Sequence, residues 1–137
     1  MAIVVPELTC SDYDVTLNFY IGILGFRIVH ATPDHGYAFL EREGAELMID
    51  TLGKGRTWTS GTMERPFGRG LNLRIEVKDI QVVYNAVKSA GLRMAMEMED
   101  IWYPRGKQEK GNRQFIVSDP DGYLLRFYQD LGLRDVA

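Results

Sequence analysis

A β-hairpin pattern occurs twice in this chain, and this repetition constrains the fold more than any other feature of the sequence. In the second half, two apolar runs flank Asp119-Pro120-Asp121-Gly122. Proline presets the φ angle of a turn and glycine tolerates a positive φ, so the pattern predicts two antiparallel strands joined by a short loop. In the first half, residues 37–40 and 45–49 flank a turn at 41–44 in the same way. The chain is therefore predicted to contain a duplicated unit.

A matching segment precedes each hairpin. It consists of an apolar strand, an amphipathic helix with an N-capping aspartate and a following glycine, and a second strand. These elements are a strand at 3–9, Asp12, a helix at 13–24, Gly25 and a strand at 27–31 in the first half, and a strand at 71–77, Asp79, a helix at 80–90, Gly91 and a strand at 92–98 in the second. The pattern predicts an α+β fold of tandem βαβββ repeats.

Length and composition favour one soluble domain. A chain of 137 residues can bury one core and is too short for two ordinary domains. We expect repeat one at about 3–52, an irregular crossover at 53–69 and repeat two at about 70–130. A net charge of −3 without a basic stripe argues against nucleic-acid binding. The absence of a membrane-length apolar run or a signal-peptide pattern predicts a cytoplasmic protein with no membrane association.

Several short motifs resemble the vicinal oxygen chelate superfamily, which includes glyoxalase I, extradiol dioxygenases, fosfomycin-resistance enzymes and bleomycin resistance proteins. The motifs are Asn18-Phe19-Tyr20, Leu24-Gly25-Phe26 and Val117-Ser118-Asp119-Pro120-Asp121-Gly122-Tyr123. Within the superfamily the chain is most similar to bleomycin resistance proteins, through Asn112-Arg113-Gln114-Phe115, Tyr103-Pro104-Arg105 and Pro6. The resemblance implies an open barrel and a homodimer whose protomers exchange their N-terminal strands at Pro6. An ordinary edge-strand proline remains the alternative.

The resemblance also indicates where metal-dependent members place their ligands. Counting from the helix caps and the hairpin glycines puts Val5, Met48, Asn72 and Arg126 at those four positions. None is a good ligand for a divalent metal, and an arginine places a positive charge where a cation would bind. A register shift of two residues would bring Asp50 near the first pair. We therefore expect no metal and no cofactor, and a binding protein in preference to an enzyme.

Aromatic and charged residues then define the expected ligand site. The candidate ligand-binding residues are Tyr37, Asp50, Trp58, Trp102, Tyr103 and Arg126. The aromatic rings would stack on a planar small molecule, and the carboxylate would attract positive charge. We expect Trp102 and Tyr103 to lie in a long loop at 99–111. Arg126 would either bind an anionic or carbonyl group or form an ion pair with Asp50 or Glu46.

The predicted function is antibiotic resistance by sequestration of bleomycin or a related planar ligand, without chemical change to it. The alternative is a glyoxalase- or dioxygenase-like enzyme that uses atypical metal ligands.

Overall fold

The computed structural model describes residues 2–136, which form two four-stranded sheets and two α-helices. The elements are β1 (Glu7–Cys10), α1 (Tyr13–Leu17), a π-helical turn (Asn18–Ile23), β2 (Arg27–Thr32), a 3-10 turn (Pro33–His35), β3 (Tyr37–Arg42), β4 (Ala45–Thr51), β5 (Asn72–Glu76), α2 (Ile80–Ser89), β6 (Met94–Arg105), β7 (Gln108–Ser118) and β8 (Leu124–Asp135). The strand orders are β1-β4-β3-β2 and β5-β8-β7-β6. Both sheets have the same order, which confirms the predicted α+β fold of tandem βαβββ repeats.

The chain divides into two compact units. The first unit extends to Arg69 and includes the Asp119–Tyr123 turn, and the second contains Gly70–Ser118 and the residues from Leu124 onward. The turn that closes the second repeat therefore belongs structurally to the first unit.

The first unit is organised around the helix that follows β1. The carboxylate of Asp12 accepts a hydrogen bond from the Val15 N–H at 3.1 Å and caps α1 as predicted. The helix continues through the π-helical turn and ends at Gly25, whose φ of 80° suits a glycine. Leu8, Leu40 and Ile49 are fully buried on the face of the sheet that packs against this helix. We call the opposite face the helix-free face of the first sheet.

The first strand is shorter than predicted. It begins at Glu7, not at residue 3, because Pro6 has no N–H to continue the ladder. The Pro6 carbonyl still accepts a hydrogen bond from the Met48 N–H at 2.8 Å. Strand β1 pairs in parallel with β4 of the same chain.

The second unit repeats this plan. Asp79 caps α2 by accepting a hydrogen bond from the Gln81 N–H at 3.1 Å. One face of the second sheet packs against α2, where the Tyr84 and Phe115 rings lie 5.2 Å apart and Phe115 stacks on Phe127 at 5.5 Å. The face that carries Arg126 points away from α2 and is called the helix-free face of the second sheet.

The predicted loop at 99–111 is wrong. Strand β6 continues to Arg105, turns at Gly106, and pairs with β7 from Gln108 onward. Cross-strand charge pairs stabilise this extension, including Arg113 with Asp100 at 2.7 Å. Because both faces of the extension carry polar residues, its sequence lacks the alternation of apolar and polar residues that normally identifies a strand. The segment at 53–69, in contrast, contains no helix or strand.

Candidate functional site

Two acidic side chains lie together on the helix-free face of the first sheet. The parallel register of β1 and β4 places Glu7 beside Met48 and Thr9 beside Asp50. Residues two apart on a strand share a face, so all four side chains are on one side of the sheet. The site therefore includes Glu7, which sequence analysis did not identify, next to the predicted Asp50.

Asp50 is buried without a hydrogen-bond donor. Its side chain is only 4% exposed, and neither carboxylate oxygen has a hydrogen-bond partner among residues 2–136. The neighbouring Glu7 is also an acceptor when it is ionised. When Glu7 is protonated, it can donate a hydrogen bond to Asp50. The pKa of Glu7 is raised to about 7 by this hydrogen bond, by burial and by the negative charge of Asp50. The pair thus favours a bound proton or another cation.

An open cavity of about 440 Å³ adjoins this acidic pair within the first unit. Glu7 and Thr9 form part of its wall, and the irregular segment supplies the rest. The apolar and aromatic residues that line it are Trp58, Met63, Pro66, Phe67 and Tyr123. Trp58 is 70% exposed, and the guanidinium of Arg56 lies 4.5 Å from its ring centroid. A flat ligand in this cavity could therefore contact both Trp58 and Glu7.

The Asp119–Tyr123 turn fixes the far wall of the cavity. The Tyr123 hydroxyl donates to the Thr9 carbonyl at 2.9 Å, and burial raises the pKa of Tyr123 to about 12. Gly68 lies directly against the Tyr123 ring, where an added Cβ would come within 2.3 Å of a ring carbon. Asp121 is buried and accepts from the Ser11 hydroxyl at 2.6 Å, while Arg65 forms a 2.9 Å ion pair with it. These contacts hold the irregular segment in place beside β1.

The helix-free face of the second sheet carries the opposite charge. Arg74 and Arg126 are partners in the parallel register of β5 and β8. The Arg74 guanidinium lies 3.5 Å from the ring centroid of Tyr128, and Arg126 forms no ion pair with a described residue.

The predicted aromatics Trp102 and Tyr103 lie on the extended part of β6. Trp102 covers Gly111 of β7, where an added Cβ would come within 2.5 Å of its ring. The Arg134 guanidinium stacks on Trp102 at 3.8 Å from the ring centroid. Tyr103 is 42% exposed, and neighbouring residues of a strand point to opposite faces. The two rings therefore do not form one stacking surface.

The superfamily profile described as Glyoxalase/Bleomycin resistance protein/Dioxygenase superfamily matches residues 2–127. The chain belongs to this superfamily. This confirms the resemblance inferred from the helix-end and hairpin motifs.

Superfamily relatives with different named activities are about equally similar in sequence. A bleomycin resistance protein of Geobacillus stearothermophilus is 28% identical, with 93% of this chain and 96% of the relative covered. A lactoylglutathione lyase of Haemophilus influenzae is also 28% identical, with 95% and 93% covered. TioX from Micromonospora sp. ML1 has a TM-score of 0.69 at 23% identity, with 95% and 100% covered, and supports the fold alone.

The residues at the superfamily's expected metal positions do not fit a divalent metal. Val5 precedes β1, while Met48 and Arg126 lie on β4 and β8. The register partner of Met48 is Glu7, and that of Arg126 is Arg74, each two residues beyond the position counted from the helix cap. In the first unit these side chains are one carboxylate and one thioether, and in the second they are two cations. Among residues 2–136, no three His, Cys, Asp or Glu side chains cluster closely enough to hold a metal.

The structure places the predicted site residues in different parts of the fold. Trp58 lines the cavity, and Asp50 is the strand neighbour of Thr9, which also lines it. Tyr37 is half-buried, its backbone carbonyl accepts from the Tyr13 hydroxyl at 3.1 Å, and it does not line this cavity. Trp102, Tyr103 and Arg126 belong to the second unit.

Sequence analysis missed Glu7, Phe67 and Tyr123 as cavity residues and Arg74 as the neighbour of Arg126. Glu7 and Arg74 could have been found from the duplication, because both stand five residues before their helix caps, Asp12 and Asp79. No local pattern identifies Phe67, which is placed by the folding of an irregular segment.

The described part of the chain has no helix that is both long and apolar enough to span a membrane.

Proposed function

We propose that this chain is a metal-independent small-molecule binding protein of the bleomycin-resistance type. It would sequester bleomycin or a related planar ligand and leave it chemically unchanged. The observation that carries this proposal is the buried Asp50 carboxylate, which accepts no hydrogen bond from residues 2–136 and is the strand neighbour of Thr9, a wall residue of the aromatic-lined cavity. The bleomycin resistance relatives at 28% identity support the same function.

The cavity suits a ligand that is both flat and cationic. Trp58 offers an exposed indole ring for stacking, and Phe67 and Tyr123 provide an apolar wall. The Glu7–Asp50 pair would receive a protonated amine or guanidinium, which supplies the donors that Asp50 lacks. No described residue near the pair is positioned as a nucleophile with an activating base, so passive binding is the simplest use of this geometry.

A fluorescence titration with bleomycin tests the proposal. The two tryptophans can be separated with Trp58→Phe and Trp102→Phe, each of which leaves one reporter. We expect quenching to persist in Trp102→Phe and to disappear in Trp58→Phe. Asp50→Asn should weaken binding about tenfold or more, because a neutral amide loses the charge-assisted hydrogen bond. Absence of both quenching and calorimetric heat would remove bleomycin as the ligand.

Mass spectrometry of the recovered ligand distinguishes sequestration from catalysis. The ligand mass should be unchanged after incubation with excess protein. A mass shift that requires the protein would overturn the proposal of passive binding.

The alternative is a metal-dependent lyase or dioxygenase, favoured by the lactoylglutathione lyase relative at 28% identity. Elemental analysis of purified protein separates the two functions. Stoichiometric nickel, zinc, manganese or iron would support the enzyme, with ligands other than the four positions named above.

We further propose that the binding protein acts as a cytoplasmic homodimer, as the resemblance to bleomycin resistance proteins implies. Exchange of the N-terminal strand at Pro6 is part of this proposal.

A further inference from the structure

Two arginines lie side by side on the helix-free face of the second sheet. Arg74 and Arg126 are register partners on parallel strands, so their side chains leave the sheet in the same direction. Neither forms an ion pair with a described residue. Like charges placed directly opposite one another on a sheet are destabilising. This arrangement therefore creates a local demand for negative charge.

The first guanidinium is held in a defined position. Arg74 stacks on the Tyr128 ring at 3.5 Å from its centroid. The Tyr128 hydroxyl in turn donates to the Glu76 carboxylate at 2.7 Å. Glu76 thus orients the tyrosine without forming a salt bridge to either arginine. A stacked guanidinium keeps its in-plane N–H donors available at its edge.

The second guanidinium contains an unused donor. The Arg126 Nε is buried and has no hydrogen-bond acceptor among residues 2–136. A buried donor without an acceptor is costly and uncommon in folded proteins. An acceptor supplied by a ligand would satisfy this donor.

We propose that Arg74 and Arg126 form a binding subsite for an oxyanion, either a carboxylate or a phosphate-type group. Both anions match the planar fork of guanidinium donors and would neutralise the paired charges. The subsite lies in the second unit and uses none of the cavity residues of the first. The residues that carry this subsite therefore differ from those that carry the function proposed above.

Calorimetry at constant ionic strength tests the subsite, with inorganic phosphate and benzoate as separate probes. We expect at least one probe to bind the full-length protein. Arg74→Gln and Arg126→Gln should each weaken it about tenfold or more, because each removes charge-assisted hydrogen bonds. The matched control is Arg105→Gln, since Arg105 lies at the far end of β6, opposite Gln108, and forms no ion pair with a described residue. Phosphate binding without benzoate binding would assign the phosphate class, and the reverse would assign carboxylates.

Nuclear magnetic resonance of the arginine side chains gives a direct second readout. The Nε–H signal of Arg126 should shift on saturation with the bound probe, while that of Arg105 should not. The proposal is overturned if neither probe binds at millimolar concentration, or if Arg105→Gln weakens binding as much as Arg126→Gln. Asp50→Asn should leave anion binding unchanged, so failure of this subsite and failure of the proposed function remain distinguishable.

Discussion

At the residue scale, the Glu7–Asp50 pair predicts that the proposed binding of a cationic ligand depends on pH. The folded-state pKa of Glu7 is raised to about 7 from a usual value of 4.5. A cation competes with the proton on this pair, so its affinity should increase as the pH rises through 7. Because binding releases one proton, the affinity for the cation can change by at most about tenfold per pH unit. Calorimetric titration of bleomycin between pH 6 and pH 8 measures this slope, and Glu7→Gln should abolish it.

The same pair predicts how stability varies with pH. The folded state binds the Glu7 proton more tightly than the unfolded state does. This difference stabilises the folded state fully below pH 4.5, and the stabilisation is lost as the pH rises through 7. Urea unfolding should therefore show a smaller decrease in stability between pH 5 and pH 8 in Glu7→Gln than in the natural chain. Glu64→Gln is a suitable control, since Glu64 lines the cavity but forms no ion pair with a described residue. If stability depended on pH equally in the natural chain and in Glu7→Gln, the raised pKa of Glu7 would be contradicted.

At the element scale, Asp119 holds together the turn that joins β7 to β8. One carboxylate oxygen accepts from the N–H groups of Asp121, Gly122 and Tyr123, and the other accepts from the Tyr20 hydroxyl at 2.8 Å. Asp119→Ala should lower the free energy of unfolding by about 3 kcal/mol, because it leaves several buried donors without partners. Tyr20→Phe removes one of these donors and should cost about 1 kcal/mol. Chemical denaturation compares the two variants, and similar costs would mean that the backbone hydrogen bonds contribute little.

The two hairpin turns show why sequence analysis predicted the repeats but not the long extension. The Asp119–Tyr123 turn contains proline and glycine, and the other hairpin turn contains Glu43-Gly44, where both φ values are positive. Proline and glycine are clear local signals for such turns. The extension at 99–111 depends on cross-strand contacts, such as Lys110 with Asp130 at 2.6 Å. Such pairs depend on residues distant in sequence, and their polar side chains resemble those of a loop.

For the candidate site, too, sequence analysis succeeded where a signal was local and failed where it depended on contacts between distant residues. Trp58 was predicted by chemical type, since an aromatic ring in a polar segment is locally unusual, and Asp50 was predicted by a two-residue shift of the counted positions. Their relation to Glu7 depends on the register between β1 and β4, which no single segment encodes. Counting from a helix cap therefore selected Val5, two residues before the position that pairs with Met48.

At the scale of the whole molecule, the proposed homodimer can be tested at the exposed N-terminal segment. Ile3 is 103% exposed and Val4 is 82% exposed, although both are apolar. A partner protomer that covers this segment would bury both side chains. Light scattering after size exclusion should give twice the mass of one chain. The double variant Ile3→Glu/Val4→Glu should weaken the dimer, whereas Val82→Glu, which alters an exposed valine on α2, should leave its mass unchanged.

Cross-linking can decide whether the dimer exchanges its N-terminal strands. Within one chain the Ala2 N–H donates to the Glu46 carboxylate, so these two positions are adjacent. In an exchanged dimer the same contact would join Ala2 of one protomer to Glu46 of the other. The variant Ala2→Cys/Glu46→Cys, treated with a short bismaleimide, should then migrate as a covalent dimer on a denaturing gel. The buried Cys10 should react little, and each single-cysteine variant controls for it. Cross-linking confined to monomers would show that Pro6 is an ordinary edge-strand proline, because the contact would then be intramolecular.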